Sequence, residues 1–116
     1  MAFAAIRDGA RAREFYGKTL GLSVISEDNF ALVMDANGTM LRLQKVESFT
    51  PHPFTALGWE VANLHAAVSE LQKRGVTFQK YPWLQQDELG IWSAPGGARV
   101  AWFKDPDGNT LSLTQF

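Results

Sequence analysis

The stretch Asp8-Gly9-Ala10-Arg11-Ala12-Arg13-Glu14-Phe15-Tyr16-Gly17-Lys18-Thr19-Leu20-Gly21-Leu22 decides how the chain is read. Asp8 supplies a side-chain acceptor where a helix start leaves backbone N–H groups unpaired. Ala12, Phe15, Tyr16 and Leu20 recur at helical spacing, with Arg11, Arg13, Glu14 and Lys18 mostly on the other face. Gly21 closes the helix as a C-terminal glycine does. Ahead of it, the apolar run Met1 to Ile6 reads as a strand that ends at Arg7. Behind it, Leu22–Ser26, Phe30–Asp35 and Thr39–Lys45 read as three more strands. Asn37-Gly38, between the last two, marks a tight hairpin whose central residues both need positive φ.

The plan then returns. Ala56–Val61 reads as a strand, Asn63 as a helix cap, and Leu64, Ala67, Val68 and Leu71 as a helical stripe closed by Gly75. Val76–Lys80, Leu89–Ser93, Ala98–Lys104 and Thr110–Gln115 follow as strands. Gly96-Gly97 and Asp105-Pro106-Asp107-Gly108 serve as turns. Overlaying the halves puts Asp8 on Asn63, Ala12 on Ala67, and Gly21 near Gly75 or Val76. Each half is β-α-β-β-β, so the class is α+β. Module one spans residues 1–45, module two residues 56–116, and the joint 46–55 carries Pro51-His52-Pro53, which favours an extended crossing.

Composition narrows the rest. The 116 residues are 46% hydrophobic and 20% charged, as expected of one globular domain in residues 1–116. There is no cysteine, which excludes a disulfide-stapled module, a thiolate zinc site and a cysteine nucleophile. Eleven basic and twelve acidic residues leave a net charge of −1, without the basic stripe that nucleic-acid binding requires. The apolar runs, such as Ala2–Ile6 and Ala31–Met34, fall far short of the ~20 residues of a membrane helix. Arg7, Asp8 and Arg11 interrupt any signal-peptide core. The expectation is a soluble, cytoplasmic domain. No Gly-x-Ser-x-Gly, P-loop or dinucleotide fingerprint occurs. Asp105-Pro106-Asp107-Gly108 begins like a calcium loop but lacks its later ligands, and reads as a tight turn.

Two motifs carry a resemblance. Asp8-x-x-Arg11-Ala12-x-x-Phe15-Tyr16, followed by Leu20-Gly21-Leu22, resembles the first helix of the vicinal oxygen chelate superfamily. That superfamily includes glyoxalase I, bleomycin- and fosfomycin-resistance proteins and extradiol dioxygenases. Phe103-x-Asp105-Pro106-Asp107-Gly108-Asn109-x-Leu111-x-Leu113 resembles its final hairpin. The resemblance covers nearly the whole chain. It implies two βαβββ modules forming a curved, trough-like mixed sheet with helices on the outer face. It also implies a homodimer, with pockets often shared between modules of two chains.

The resemblance further implies a divalent ion held by His, Gln or Glu on inward-facing strand positions. The matching positions here are Met1, Arg42, Ala56 and Ser112. None is a plausible ligand, and one is a cation, so no metal and no cofactor is expected. Of the two histidines, His52 sits between prolines in the joint and His65 in the first turn of the second helix; both read as surface residues. An all-carboxylate site is conceivable from Glu60, Asp87 and Glu88, which read more simply as solvated or paired.

Strand alternation predicts the lining of the trough. Leu41 and Leu43 go to the core, leaving Met40, Arg42 and Gln44 on the trough face. Leu57, Trp59 and Val61 share one face of their strand and Ala56, Gly58 and Glu60 the other. Leu111 and Leu113 go to the core, leaving Thr110, Ser112 and Thr114 inward. Matching parity turns Phe3, Ala5 and Arg7 inward. The expected result is space where a metal and its ligands would stand. The tryptophans read either as core or dimer-interface residues or as ligand contacts, and of the four Trp92 and Trp102, which sit mid-strand, are the expected ligand contacts. Trp59 is assigned to the core, and Trp83, after Tyr81-Pro82, to a lid loop. Arg42 either clamps an anion or pairs with Glu60.

The functional expectation is a metal-free small-molecule-binding protein that takes a planar or aromatic ligand in a dimer trough. Its contacts would come from Phe3, Met40, Arg42, Gln44, Ala56, Gly58, Glu60, Trp92, Trp102 and Ser112. The alternative is an enzyme of lyase, isomerase or dioxygenase type. It would use an unconventional metal site, or Glu60 as general base with Arg42 stabilising an enolate-like anion. A third class is a dimerisation module whose trough is filled by its own side chains.

Overall fold

A computed structural model describes all 116 residues. The chain forms two compact units. Unit 1 comprises Met1–His52 with the turn Asp105–Asn109, and unit 2 comprises Pro53–Lys104 with Thr110–Phe116.

Unit 1 holds β1 (Ala2–Ile6), a helix that starts as α1 (Gly9–Ala12) and continues as a π-helical stretch (Arg13–Thr19), β2 (Ser23–Glu27), β3 (Ala31–Ala36) and β4 (Thr39–Lys45). The sheet order is β1-β4-β3-β2, with β1 parallel to β4 and the other pairs antiparallel. Asp8 caps the helix, accepting from the N–H groups of Ala10 and Arg11 at 3.0 and 3.2 Å. The wide turn is absent from the sequence reading, which places an ordinary α-helix here. Leu20 N–H bonds the Phe15 carbonyl at 2.9 Å, closing a ring one residue longer than an α-turn. The apolar spacing marks the buried face but does not distinguish the two ladders. Asn37 and Gly38 adopt φ of 55° and 93°, the left-handed pair that a tight hairpin requires. The core is Ile6, Ala12, Tyr16, Leu32, Met34, Leu41 and Leu43.

The turn 105–109 completes unit 1 through buried polar bonds. Asp105 Oδ1 accepts from the N–H groups of Asp107 and Asn109 at 2.9 and 2.8 Å, and its Oδ2 accepts from Tyr16 Oη at 2.7 Å. Asn109 Nδ2 donates to the Ala5 carbonyl at 2.7 Å. The Asp105 oxygens are thus consumed by the fold, in keeping with a turn and not a calcium loop.

Unit 2 holds β5 (Thr55–Glu60), α2 (Leu64–Lys73), β6 (Trp92–Ser93), β7 (Arg99–Lys104) and β8 (Thr110–Gln115), in sheet order β5-β8-β7-β6. Asn63 caps α2, accepting from Ala66 N–H at 3.0 Å. Leu64, Val68, Phe78, Ile91, Ala101, Phe103, Leu111 and Leu113 form the core. Trp59, assigned to that core by alternation, is only half-buried.

The strand expected at Val76–Lys80 does not form, and the one at Leu89–Ser93 shrinks to Trp92–Ser93. One backbone bridge remains, Phe78 to Phe103, with Gln79 N–H on the Trp102 carbonyl at 2.8 Å, and a side chain supplies further bonds. Gln86 Oε1 accepts from Tyr81 N–H at 2.7 Å, and its Nε2 donates to the carbonyls of Gln79 and Gly90 at 3.0 and 2.8 Å. Asp87 Oδ1 takes the N–H groups of Leu89 and Ile91, both at 2.9 Å. The backbone polar groups are satisfied without a continuous strand partner.

Candidate functional site

In unit 1 the face of the sheet away from the helix carries Phe3 and Ala5 from β1, Met40, Arg42 and Gln44 from β4, and Val33 and Asp35 from β3. Phe3 is 58% exposed and Met40 40%, while Arg42 is half-buried between them in register with Phe3 and Val33. Asp28 is held below the usual carboxylate range by the N–H groups of Phe30 and Ala31, with smaller help from the charges of Arg42 and Lys45. Arg7 does not join this face. It lies beyond β1, donates to the Phe49 carbonyl at 2.8 Å, stacks over the Phe49 ring at 4.5 Å, and pairs with Asp107 at 3.5 Å. On the helix side of the same unit, Ala10, Arg13, Glu14, Gly17, Lys18 and Val24 line an open groove of about 400 Å³ that the sequence reading did not foresee.

Unit 2 presents an aromatic surface. Trp92 and Trp102 lie with ring centroids 6.0 Å apart and planes tilted by 32°. Tyr81 meets Trp102 edge-to-face at 5.7 Å, and Trp83 lies over Tyr81 at 5.0 Å. Four rings run from Trp92 to Trp83, and Trp83 is 74% exposed at the outer end. The Gln86 bonds hold the loop that carries Tyr81 and Trp83, so this segment is bonded in place.

The same sheet face brings Gly58, Ser112 and Trp102 into one row across β5, β8 and β7, and Glu60, Thr114, Val100 and Trp92 into the next. Ala56 is displaced from it. The register shifts between Thr55 and Leu57, so Ala56 is the extra residue of a bulge and Thr55, in its place, pairs with Thr110. Alternation alone cannot see such an insertion. The consequence is large: Trp102 Nε1 donates to Thr55 Oγ1 at 3.2 Å, from β7 to β5, with β8 between them. The indole therefore reaches across β8. Thr110 and Ser112, in β8, are only 3% and 6% exposed. Space expected above Ser112 is taken by the protein's own ring. Gly58 makes room for the row, since a Cβ there would stand 2.9 Å from Ser112 Oγ.

The donor set does not fit a divalent ion. Met1 is exposed and offers a thioether, Arg42 a cation, Ala56 a methyl group, and Ser112 a buried hydroxyl beside Gly58. No three His, Asp or Glu side chains come together anywhere in the chain. Glu60, Asp87 and Glu88 do not assemble a carboxylate site, and Asp87 is committed to the N–H groups of its own turn. His52 and His65 are both exposed. Glu60 is exposed at the end of edge strand β5, without the enclosure that water-excluding chemistry uses. No helix is long and apolar enough to cross a membrane.

Alternation places Trp92, Trp102, Gly58, Glu60 and Ser112 on one face, and the structure has them there. The contacts of Thr55 and Tyr81 with Trp102, which depend on the bulge and on the Gln86 bonds, are not foreseen.

Comparison with known structures agrees with this architecture. A glyoxalase family protein from Bacillus anthracis superposes with a TM-score of 0.78 at 18% identity, covering 98% of this chain and 90% of that one. A superfamily member from Sphaerobacter thermophilus gives 0.75 at 25% identity, covering 100% and 96%. TnmS3, an antibiotic-binding protein from a Streptomyces species, gives 0.66 at 24% identity, covering 99% and 93%. No curated protein matches the chain. The family model described as Glyoxalase/Bleomycin resistance protein/Dioxygenase superfamily matches residues 2–113, and the chain belongs to that superfamily.

Proposed function

We propose that this protein binds a planar aromatic small molecule without a metal or cofactor, stacking it on the rings of unit 2. The observation that carries the reading is the continuous run of Trp92, Trp102, Tyr81 and Trp83 on one accessible surface. Flat rings offer large contact area at low entropic cost, and suit a flat ligand. The unsuitable donors at Met1, Arg42, Ala56 and Ser112 support a metal-free site. The structural likeness to TnmS3, itself an antibiotic-binding protein, favours a binding role. The protein acts as a cytoplasmic homodimer in this reading. The exposed apolar side chains Phe3, Ile25 and Phe30 in unit 1 are the kind of surface a partner subunit covers.

Titration with proflavine, a flat tricyclic dye, tests the reading by tryptophan quenching and calorimetry. Wild-type protein should bind it. W102A and W92A should each weaken binding about tenfold, the effect of losing one stacking partner. Exhaustive dialysis against a chelator should leave binding unchanged, and native mass spectrometry should show a dimer. Absence of binding, or binding indifferent to both tryptophans, overturns the proposal. Binding lost on chelation and restored by a divalent ion would move the protein to the metal-dependent enzymes of its superfamily.

A further inference from the structure

The bond from Trp102 Nε1 to Thr55 Oγ1 is a side-chain bond that spans a whole strand. A tryptophan on a sheet ordinarily stands away from it, leaning along its own strand. Here three local features let the ring lie across the neighbour. Ser112, opposite Trp102, is small, and Gly58, opposite Ser112, has no side chain. The bulge at Ala56 pairs Thr55 with Thr110 and so brings its hydroxyl to the face that carries Trp102. The remaining ring neighbours, Trp92 and Tyr81, are aromatic contacts without a polar anchor on the indole edge.

We infer that Thr55 is a positioning residue for ligand binding, its hydroxyl pinning the Trp102 indole across β8 as a flat stacking floor. The inference rests on the proposed aromatic-binding role. It adds what selects the ligand's shape: an indole tethered by its N–H presents one fixed flat face, which accepts an extended planar ring system and rejects a puckered one. The indole has one N–H donor, and Thr55 accepts it. With that acceptor removed, the ring loses its only polar tether and turns about its side-chain torsions, carrying its geometry to Trp92 with it.

The test compares T55V, which keeps the shape without the acceptor, with T55S, which keeps the acceptor. Thr55 is exposed, so both substitutions leave the core untouched. The first readout needs no ligand: the exciton couplet of the Trp92–Trp102 pair in circular dichroism. T55V should lose most of the couplet and T55S should retain it. The second readout is proflavine affinity, which should fall about fivefold in T55V, the factor for one modest hydrogen bond, and recover in T55S. In a W102F background T55V should have no further effect on either readout. A couplet unchanged in T55V overturns the inference, as does a lost couplet with proflavine affinity intact. If wild-type protein does not bind proflavine while T55V still loses the couplet, the binding role falls and the pinning of Trp102 stands.

Discussion

The Tyr16 hydroxyl donates to Asp105 Oδ2 at 2.7 Å, joining residues 89 positions apart inside unit 1. The motif residues of the first helix and of the last hairpin are therefore bonded to each other. The buried carboxylate also holds its own turn through Asp107 and Asn109 N–H groups. Burial, and after it the charge of Asp105, pushes the Tyr16 hydroxyl well above the ordinary tyrosine range. In the unfolded chain Tyr16 ionises near 10.0, so above that pH the folded state holds the proton more tightly. The stability it contributes is fully present below about pH 10 and lost as pH rises further.

Y16F should therefore unfold at lower urea than wild type at neutral pH, by about 1–3 kcal/mol for a lost bond to a charged group. Wild type should lose stability above pH 10 by up to about 1.4 kcal/mol per pH unit from this group. Y16F should lack that component, so the two stability curves converge in alkali. Urea titrations at neutral and alkaline pH check both points. Parallel curves would show that the hydroxyl is not held protonated by the fold.

Gly58 and Ser112 are a second coupled pair. A Cβ at residue 58 would approach Ser112 Oγ to 2.9 Å within a packed row. G58A should destabilise by about 1–2 kcal/mol, the range for overpacking. S112A alone removes only the oxygen in the way. The double variant should recover most of the loss, giving a coupling energy of about 1 kcal/mol in a double-mutant cycle. Additive effects would place the strain of G58A elsewhere.

These pairs mark the boundary of what the sequence discloses. Helix caps and tight turns are local, so Asp8, Asn63 and Asn37-Gly38 announce themselves, and each is found in its expected role. Thr39–Lys45 and Thr110–Gln115 have the bounds that alternation predicts. The candidate site was legible at Trp102, which is mid-strand in β7 as alternation predicts, whereas Trp92 reaches the same face from the first position of a two-residue strand. It was not legible at Thr55, because one inserted residue changes which side chain meets the next strand. Nor was the loop around Trp83 legible: its conformation depends on an amide bonding three backbone groups, a tertiary choice without periodicity.

Gln86 supplies the last prediction. Its amide takes Tyr81 N–H and gives both its donors to the carbonyls of Gln79 and Gly90, doing for residues 79–90 what a strand ladder would do. Q86A removes all three bonds and leaves those groups to water. Q86E keeps the acceptor for Tyr81 N–H but turns both donors into acceptors facing carbonyl oxygens. Both should destabilise, Q86A by about 1–3 kcal/mol for partly buried bonds, with Q86E at least as costly because like dipoles then face each other. The local consequence is more specific than the global one. Tyr81 N–H should exchange with solvent at least tenfold faster in Q86A, while Ala101 and Phe103, whose backbone groups alternate toward β8, keep their protection. Tyr81 would also lose its fixed edge contact with Trp102, weakening the aromatic run at its centre. Hydrogen exchange read residue by residue distinguishes this from general loosening. Uniformly faster exchange through β7 and β8 would mean that Gln86 supports the whole unit and not the ring-bearing loop.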